Sequence, residues 1–281
     1  MIVVTGATGN VGRPLVRAMA EAGEQVTAVS RGMIPVDLPG GARHVRADLA
    51  APETLRPVLR GAGALFLHDG GAGGHGLDPR AILDAVRDAG VRRVVLLSSQ
   101  GVATRPESPS HGGVMRAIEE AVRESGLAWT ILRPGGFASN ACAWAESVRA
   151  ERAVAAPFGD VGIPVIDPAD IAEVAAVALR EDEHTGCVYE LNGPAAVTPR
   201  QQAEAIGAAL GEPVRFTELT RAEAHARMAA FMPEPVVQTT LAVLGEPTAA
   251  ELRLSPDVER VLGRPPRPFA EWARRNVGAF R

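Results

Sequence analysis

Thr5-Gly6-Ala7-Thr8-Gly9-Asn10-Val11-Gly12 joins an apolar segment, Ile2 to Thr5, to a stretch with helical periodicity. Its three glycines stand in a GxxGxxG spacing, and each can do a different job. Gly6 permits a tight turn out of a strand, Gly9 lets the backbone approach a ligand, and Gly12 lets the next helix pack closely on the sheet. The helix start then presents unpaired N–H groups and the positive end of its dipole, which favours a dinucleotide pyrophosphate without any cationic side chain. Beyond it, Val11, Leu15 and Met19 recur on one face while Arg13, Arg17 and Glu21 point elsewhere, and Pro14 falls in the first turn, where its missing N–H is tolerated. The competing reading is a glycine-rich turn that holds nothing. The flanking strand and amphipathic helix favour the cradle, with Gly6, Thr8, Gly9, Asn10, Val11 and Gly12 as its candidate contacts.

The 281 residues, 46% hydrophobic and 22% charged, suffice for one large α/β domain with a modest appendage. A net charge of -4 and the lack of a dense basic run argue against nucleic acid or an acidic membrane as partner. All 29 basic residues are arginines. Cys142 and Cys187 stand far apart in no metal-ligand spacing, so neither a disulfide framework nor a metal site is expected, and a cytoplasmic protein without leader or membrane span fits.

Gln25 to Ser30 reads as a buried strand ending at Arg31. An acidic residue near this position suits the ribose 2′-OH of NAD, whereas an arginine suits a 2′-phosphate, so NADPH is expected, with NAD as the alternative. A solvated surface arginine is the bland explanation of Arg31. His44 to Ala47 is a short strand ending at Asp48-Leu49, candidate adenine contacts, and a helix is expected over Pro52 to Leu59. Gly63 to His68 is a fourth strand, with His68 lining the cofactor cleft, and Asp69 to Gly76 is a glycine-rich loop that could act as a lid. Leu77 to Ala89 has helical spacing, and Val91 to Ser99 is the near-continuous apolar run of a central parallel strand. Ser98, and Pro134 with Gly135 after the next strand, are further candidate cofactor contacts at the carboxyl edge. A helix from His111 to Ser125 and a strand from Leu127 to Leu132 complete a doubly wound parallel sheet. Residues 1–135 form the dinucleotide-binding unit, and 136–281 supply the remaining sheet elements and a substrate-binding, mostly helical lid broken by Pro233, Pro235, Gly245 and Pro247.

The run Ser125-Gly126-Leu127-Ala128-Trp129-Thr130-Ile131-Leu132-Arg133-Pro134-Gly135-Gly136-Phe137, with Asn140 soon after, resembles the NmrA-like branch of the atypical short-chain dehydrogenase/reductases. Ile166-Asp167-Pro168-Ala169-Asp170-Ile171-Ala172, Tyr189-Glu190-Leu191-Asn192-Gly193-Pro194 and Pro265-Pro266-Arg267-Pro268-Phe269-Ala270-Glu271-Trp272 extend the resemblance over nearly the whole chain. It implies a Rossmann fold and NADPH-dependent reduction of quinones. Relatives in aromatic polyketide pathways imply, further, a polycyclic aromatic substrate and a hydroquinone that reacts with oxygen, with an oxygenase as candidate partner. Some members are instead non-catalytic redox sensors that bind NAD(P), which is the alternative reading. Independently of the resemblance, Asp167 with Pro168, and Thr198, read as helix starts.

The wider family's Tyr/Lys acid pair cannot be present: the chain has no lysine, and its single tyrosine, Tyr189, lies in a late strand-like segment. Met115 stands near the position where many relatives have His or Lys. A quinone needs such an acid least, because its hydride adduct is already a stabilised anion. Phe137, Trp144 and Met115 are the expected apolar wall for such a substrate, and Gln100, His111 or Asn140 the candidate catalytic hydrogen-bonding groups. Ordinary core aromatics and a plain helix-start histidine are the competing explanations.

Overall fold

Alternate residues of the apolar strands face opposite sides of one sheet, so two cores form from a period of two. The computed structural model describes residues 1–32, 38–68, 76–108 and 113–281, the side chains of 113 and 114 excepted. Its strands are β1 (Ile2–Val4), β2 (Val26–Ser30), β3 (Ala42–Arg46), β4 (Ala64–Leu67), β5 (Arg93–Leu97), β6 (Ala128–Pro134), β7 (Ala153–Pro157), β8 (Cys187–Leu191) and β9 (Arg215–Leu219). Seven of them form a wholly parallel sheet in the order β3-β2-β1-β4-β5-β6-β8, with Val3 opposite Thr27 on one side and Leu65 on the other. The strand order reverses between β1 and β4, which opens a crevice beyond their carboxyl ends. This is the doubly wound α/β fold expected from the sequence.

On one face, Ile2, Val4, Phe66, Val95, Leu97 and Leu132 pack with residues of the helices Gly12–Glu21 and Pro168–Arg180. On the other, Val3, Leu65, Leu67, Val94, Leu96 and Ile131 pack with residues of Arg56–Leu59, Pro79–Asp88 and Gly113–Glu124. Each fully buried Leu, Ile or Val contributes about 1.5–3 kcal/mol relative to exposure, so the alternation pins the register.

β7 and β9 form a separate two-stranded parallel sheet. Around it a third core of Val148, Val154, Ile206, Trp272 and Phe280 joins the helices Ala145–Glu151, Pro199–Leu210 and Phe269–Arg275 to the C-terminal turn. The helices Arg221–Ala229, Glu234–Gly245, Ala249–Leu252 and Asp257–Leu262 make up the segment read from the sequence as a broken lid. Phe158 follows β7 with φ 55, and a methyl added at Gly245 would lie 2.6 Å from its ring, so a bulky residue in a costly conformation wedges against the lid helix. No helix among the described residues is long and apolar enough to cross a membrane.

Asp167 caps Pro168–Arg180 by accepting from the Ala169 N–H at 2.9 Å, and Thr198 closes a capping box with Gln201, as their sequence context implies. The segment Pro52 to Leu59 differs from the expected single helix. It is a turn at Pro52–Thr54 followed by one helical turn at Arg56–Leu59, because Pro57 lacks the N–H that a continuous helix would need there. Of the expected helix His111 to Ser125, Gly113–Glu124 is described, and His111 lies outside the described residues, as does 69–75 of the glycine-rich loop.

Asp170, fully buried, accepts from Arg264 at 2.7 Å, from the Arg267 backbone N–H at 2.7 Å and from the Arg267 guanidinium, tying the C-terminal segment to the central helix. Asp170→Asn should leave two arginines without their buried charge and lower stability by about 3 kcal/mol, read from the urea midpoint. Burial pushes the neighbouring Glu173 carboxyl up, but hydrogen bonds from Arg264 and Arg267 outweigh it and hold it below its ordinary range. Its contribution is therefore present above about pH 4.5 and is lost as pH falls through the lowered value, so Glu173→Gln should flatten the acid limb of the stability profile.

Candidate active site

Thr5 begins the turn that leaves β1. Its hydroxyl lies 3.1 Å from the Phe66 carbonyl and 3.0 Å from that of His68, and it accepts the His68 N–H at 2.8 Å, which locks the ends of β1 and β4 together. Gly6 then takes φ +62, and a methyl added there would fall 2.5 Å from His68 Nδ1. The Gly9 N–H donates to the Gly6 carbonyl at 2.9 Å. A methyl at Gly12 would lie 2.2 Å from that same carbonyl oxygen and 2.7 Å from the Ala7 Cα. The third glycine is therefore demanded by the turn's own backbone, whereas the sequence suggested helix packing on the sheet. At Gly9 the added methyl would meet the Gly6 carbonyl at 3.2 Å and no other described atom within 4 Å, which leaves the outer side of this backbone accessible.

That accessible side opens into a groove of about 200 Å³. Gly6, Thr8 and Gly9 form one end, His68 lies at the switch point, and Arg31, Asp48 and Leu49 form the other end at the tips of β2 and β3. The groove thus pairs a helix N-terminus, suited to a diphosphate, with an arginine one strand away, suited to a ribose 2′-phosphate. Two local devices shape the far end: Ser30 Oγ lies 2.9 Å from His44 Nε2, and the Asp48 carboxylate accepts the Ala50 N–H at 3.0 Å. Asn10 reaches across to the second part of the chain, its Nδ2 donating to Ser139 Oγ at 3.0 Å, while Val11 is buried in the core beneath the helix start. The geometry fits NAD(P)H: the cradle, the groove and the terminal arginine lie in sequence along one edge.

Ser98, Gln100, Pro134 and Gly135 sit at the carboxyl ends of β5 and β6. The Ser98 hydroxyl donates inward to Glu119 Oε1 at 2.6 Å, and Glu119 also accepts from Arg133 Nε at 2.9 Å, from Arg133 Nη2 at 2.6 Å and from Arg123 at 3.2 Å. Burial pushes this carboxyl up, but the Arg133 and Ser98 hydrogen bonds outweigh it, so Glu119 is held ionised and cannot serve as an acid at neutral pH. Gln100 is buried; its N–H donates to the Pro134 carbonyl at 2.9 Å and its Nε2 to the Ala250 carbonyl at 3.3 Å. A methyl at Gly135 would lie 2.9 Å from Gln100 Oε1, so the two residues fit closely.

The three residues expected to form one apolar wall are not brought together. Met115 packs into the core on one face of the sheet beside Leu49 and Leu77, Phe137 packs against the core on the opposite face, and Trp144 belongs to the third core. The sheet lies between the first two, because the helix and the strand-to-turn segment that carry them cover opposite faces. Asn140 is exposed on the turn Ala138–Trp144. Tyr189 is buried in β8 with its hydroxyl 2.8 Å from His184 Nδ1, and burial pushes its phenol upward. Glu181, Glu183 and His184 bring potential metal-ligand atoms together, but this turn adjoins the amino edge of the sheet, away from the groove.

The inward Ser98–Glu119–Arg133 network escaped the sequence reading. A charged Arg133 inside a strand that is otherwise uncharged was its visible signal, since a half-buried arginine requires an acidic partner.

Residues 6–182 match the NAD(P)H-binding family model. The (4-alkanoyl-5-oxo-2,5-dihydrofuran-3-yl)methyl phosphate reductase of Streptomyces griseus is 36% identical, covering 100% of this chain and 99% of the relative. The NAD(P)H azoreductase of Xenophilus azovorans is 33% identical over 100% and 99% of the two chains. Among solved structures, the NADPH-dependent quinone oxidoreductase of Escherichia coli complexed with NADPH superposes with a TM-score of 0.77 at 25% identity, covering 98% of this chain and 99% of that one. The family match and these relatives agree: the chain belongs to the NAD(P)H-binding family and is an NAD(P)H-dependent oxidoreductase.

Proposed function

We propose that the protein reduces an electron-poor conjugated acceptor, a quinone or a conjugated carbonyl of polycyclic aromatic type, with NADPH. The observation that carries this is the state of the acceptor side. Beside the carboxyl ends of β5 and β6, Glu119 is held ionised and Gln100 offers an amide; neither is an acid able to protonate an alkoxide as it forms. The chemistry that bound NAD(P)H supplies is a hydride, and water provides the proton that completes a hydroquinone. A conjugated acceptor tolerates this division because its adduct spreads the negative charge before protonation. An isolated ketone does not.

The named relatives support the same class. A 4-alkanoyl-5-oxo-dihydrofuran, an azo compound and a quinone are all conjugated acceptors, although their functional groups differ. In this proposal Gly6, Thr8, Gly9, Asn10, Val11 and Gly12 hold the diphosphate, Arg31 selects the 2′-phosphate, Asp48, Leu49 and His68 border the nucleoside, and Ser98, Pro134 and Gly135 form the nicotinamide end. Gln100 and Asn140 orient the acceptor oxygen. A polyketide-type hydroquinone that passes to oxygen or to an oxygenase partner in the cytoplasm extends the proposal beyond the reduction itself.

Stopped-flow mixing with NADPH should show oxidation by naphthoquinones and alkanoyl-butenolides, and none above the uncatalysed rate with cyclohexanone. Turnover of the isolated ketone at a similar kcat/KM, or of no acceptor at all, would overturn the assignment. Arg31→Ala should raise the KM for NADPH about tenfold while changing that for NADH less than about twofold, as expected for one lost charge-assisted contact. Gly12→Ala should weaken nucleotide binding and lower stability by about 2 kcal/mol, measured by thermal melts with and without NADPH.

A further inference from the structure

The stretch that leaves β5, Gln100 to Ser108, is stitched to the lid at successive positions. Gln100 Nε2 donates to the Ala250 carbonyl at 3.3 Å, Thr104 Oγ1 to Glu251 Oε1 at 3.2 Å, and Ser108 Oγ lies 3.2 Å from Thr239 Oγ1. At the centre, Arg105 grips Glu251 with both arms of its guanidinium, Nε to Oε1 at 2.7 Å and Nη2 to Oε2 at 2.9 Å. The same Nη2 reaches the Glu246 carbonyl at 3.0 Å, just past the end of the helix Glu234–Gly245, and the Ala242 carbonyl at 3.4 Å, which also accepts the Glu246 N–H. Glu251 is 7% exposed, and its Oε2 also accepts the Thr248 N–H at 2.8 Å in a capping box.

A bidentate, largely desolvated Arg–carboxylate pair is geometrically demanding, and it persists when its remaining donors and acceptors are satisfied, as they are here. Burial pushes the Glu251 carboxyl up, yet the Arg105 and Thr248 hydrogen bonds hold it below its ordinary range. The pair joins the carboxyl edge of the sheet, where Gln100 and Gly135 meet, to the helices that cover it. The nucleotide cradle at Gly6–Gly12 has no part in it.

We infer that Arg105 and Glu251 are positioning residues that clamp the lid over the acceptor side and hold Gln100 in place, so that they govern acceptor binding independently of NAD(P)H binding. The kinetic part rests on the reductase reading above; the structural part does not.

Glu251→Gln separates the clamp from the helix cap, because glutamine serves a capping box as well as glutamate but presents no charge to Arg105. In this variant the KM for a naphthoquinone should rise about tenfold or more, the scale of a lost charge-assisted contact, with kcat within about threefold and the NADPH Kd within about twofold. Backbone hydrogen exchange over residues 234–252 should quicken about tenfold while residues 2–21 stay unchanged. Arg105→Lys, which keeps the charge but loses the fork, should fall between wild type and Arg105→Met. The inference is overturned by unchanged lid exchange, by an unchanged KM alongside a loosened lid, or by an NADPH affinity that falls in step with the KM. If wild type turns over no acceptor, the functional proposal fails, and lid exchange with NADPH affinity decides the clamp alone.

Discussion

The close approach of Gly6 to the end of β4 is the constraint on which the site depends. The left-handed turn at Gly6 leaves no room for a side chain beside His68, and the Thr5 hydroxyl fastens the same two strand ends. That contact places the helix N-terminus over the crevice between β1 and β4, where the strand order reverses and the dinucleotide groove opens. Gly12 then folds the helix back on the turn so tightly that a single methyl would strike the Gly6 carbonyl. The turn is thus set by backbone contacts, and what it offers an anion is peptide dipoles rather than a lysine.

Arginine takes over the long-range connections in a chain without lysine. Arg133 forks Glu119 under the carboxyl edge, Arg105 forks Glu251 under the lid, and Arg264 and Arg267 converge on Asp170 and Glu173 at the C-terminal segment. A planar guanidinium holds two oxygens at once and loses less freedom per hydrogen bond than an ammonium, so these pairs fix orientation as well as proximity. They also hold the Glu119, Glu173 and Glu251 carboxyls below their ordinary range. Ser98, Gln100 and Arg105 are committed to fixed hydrogen bonds beside the carboxyl edge of the sheet.

Much of the sheet was legible because its physics is local. Val3 and Leu65 against Ile2, Val4 and Phe66 follow from alternation alone, and the caps at Asp167 and Thr198 from side chains placed before Pro168 and Pro199. β7 was not legible: Ala153-Val154-Ala155-Ala156-Pro157 is rich in alanine, a helix former, and becomes a strand because it pairs in parallel with Arg215–Leu219. Met115, Phe137 and Trp144 looked like partners in the sequence, yet nothing local reveals on which side of a sheet each one falls.

The sequence by itself determined the strand and helix periodicity, the glycine turn after β1, the arginine at the end of β2 and the lack of a Tyr/Lys pair, because each is set by neighbouring residues or by composition. Tertiary structure alone decided that Gly12 presses on the turn, that Ser98 points inward to Glu119, that the expected apolar wall is split between separate cores, and that Arg105 finds Glu251 far along the chain. Those outcomes depend on which faces meet when the chain closes. No period or spacing encodes them, since the partners are brought together by packing and their charges become strong only after water has left.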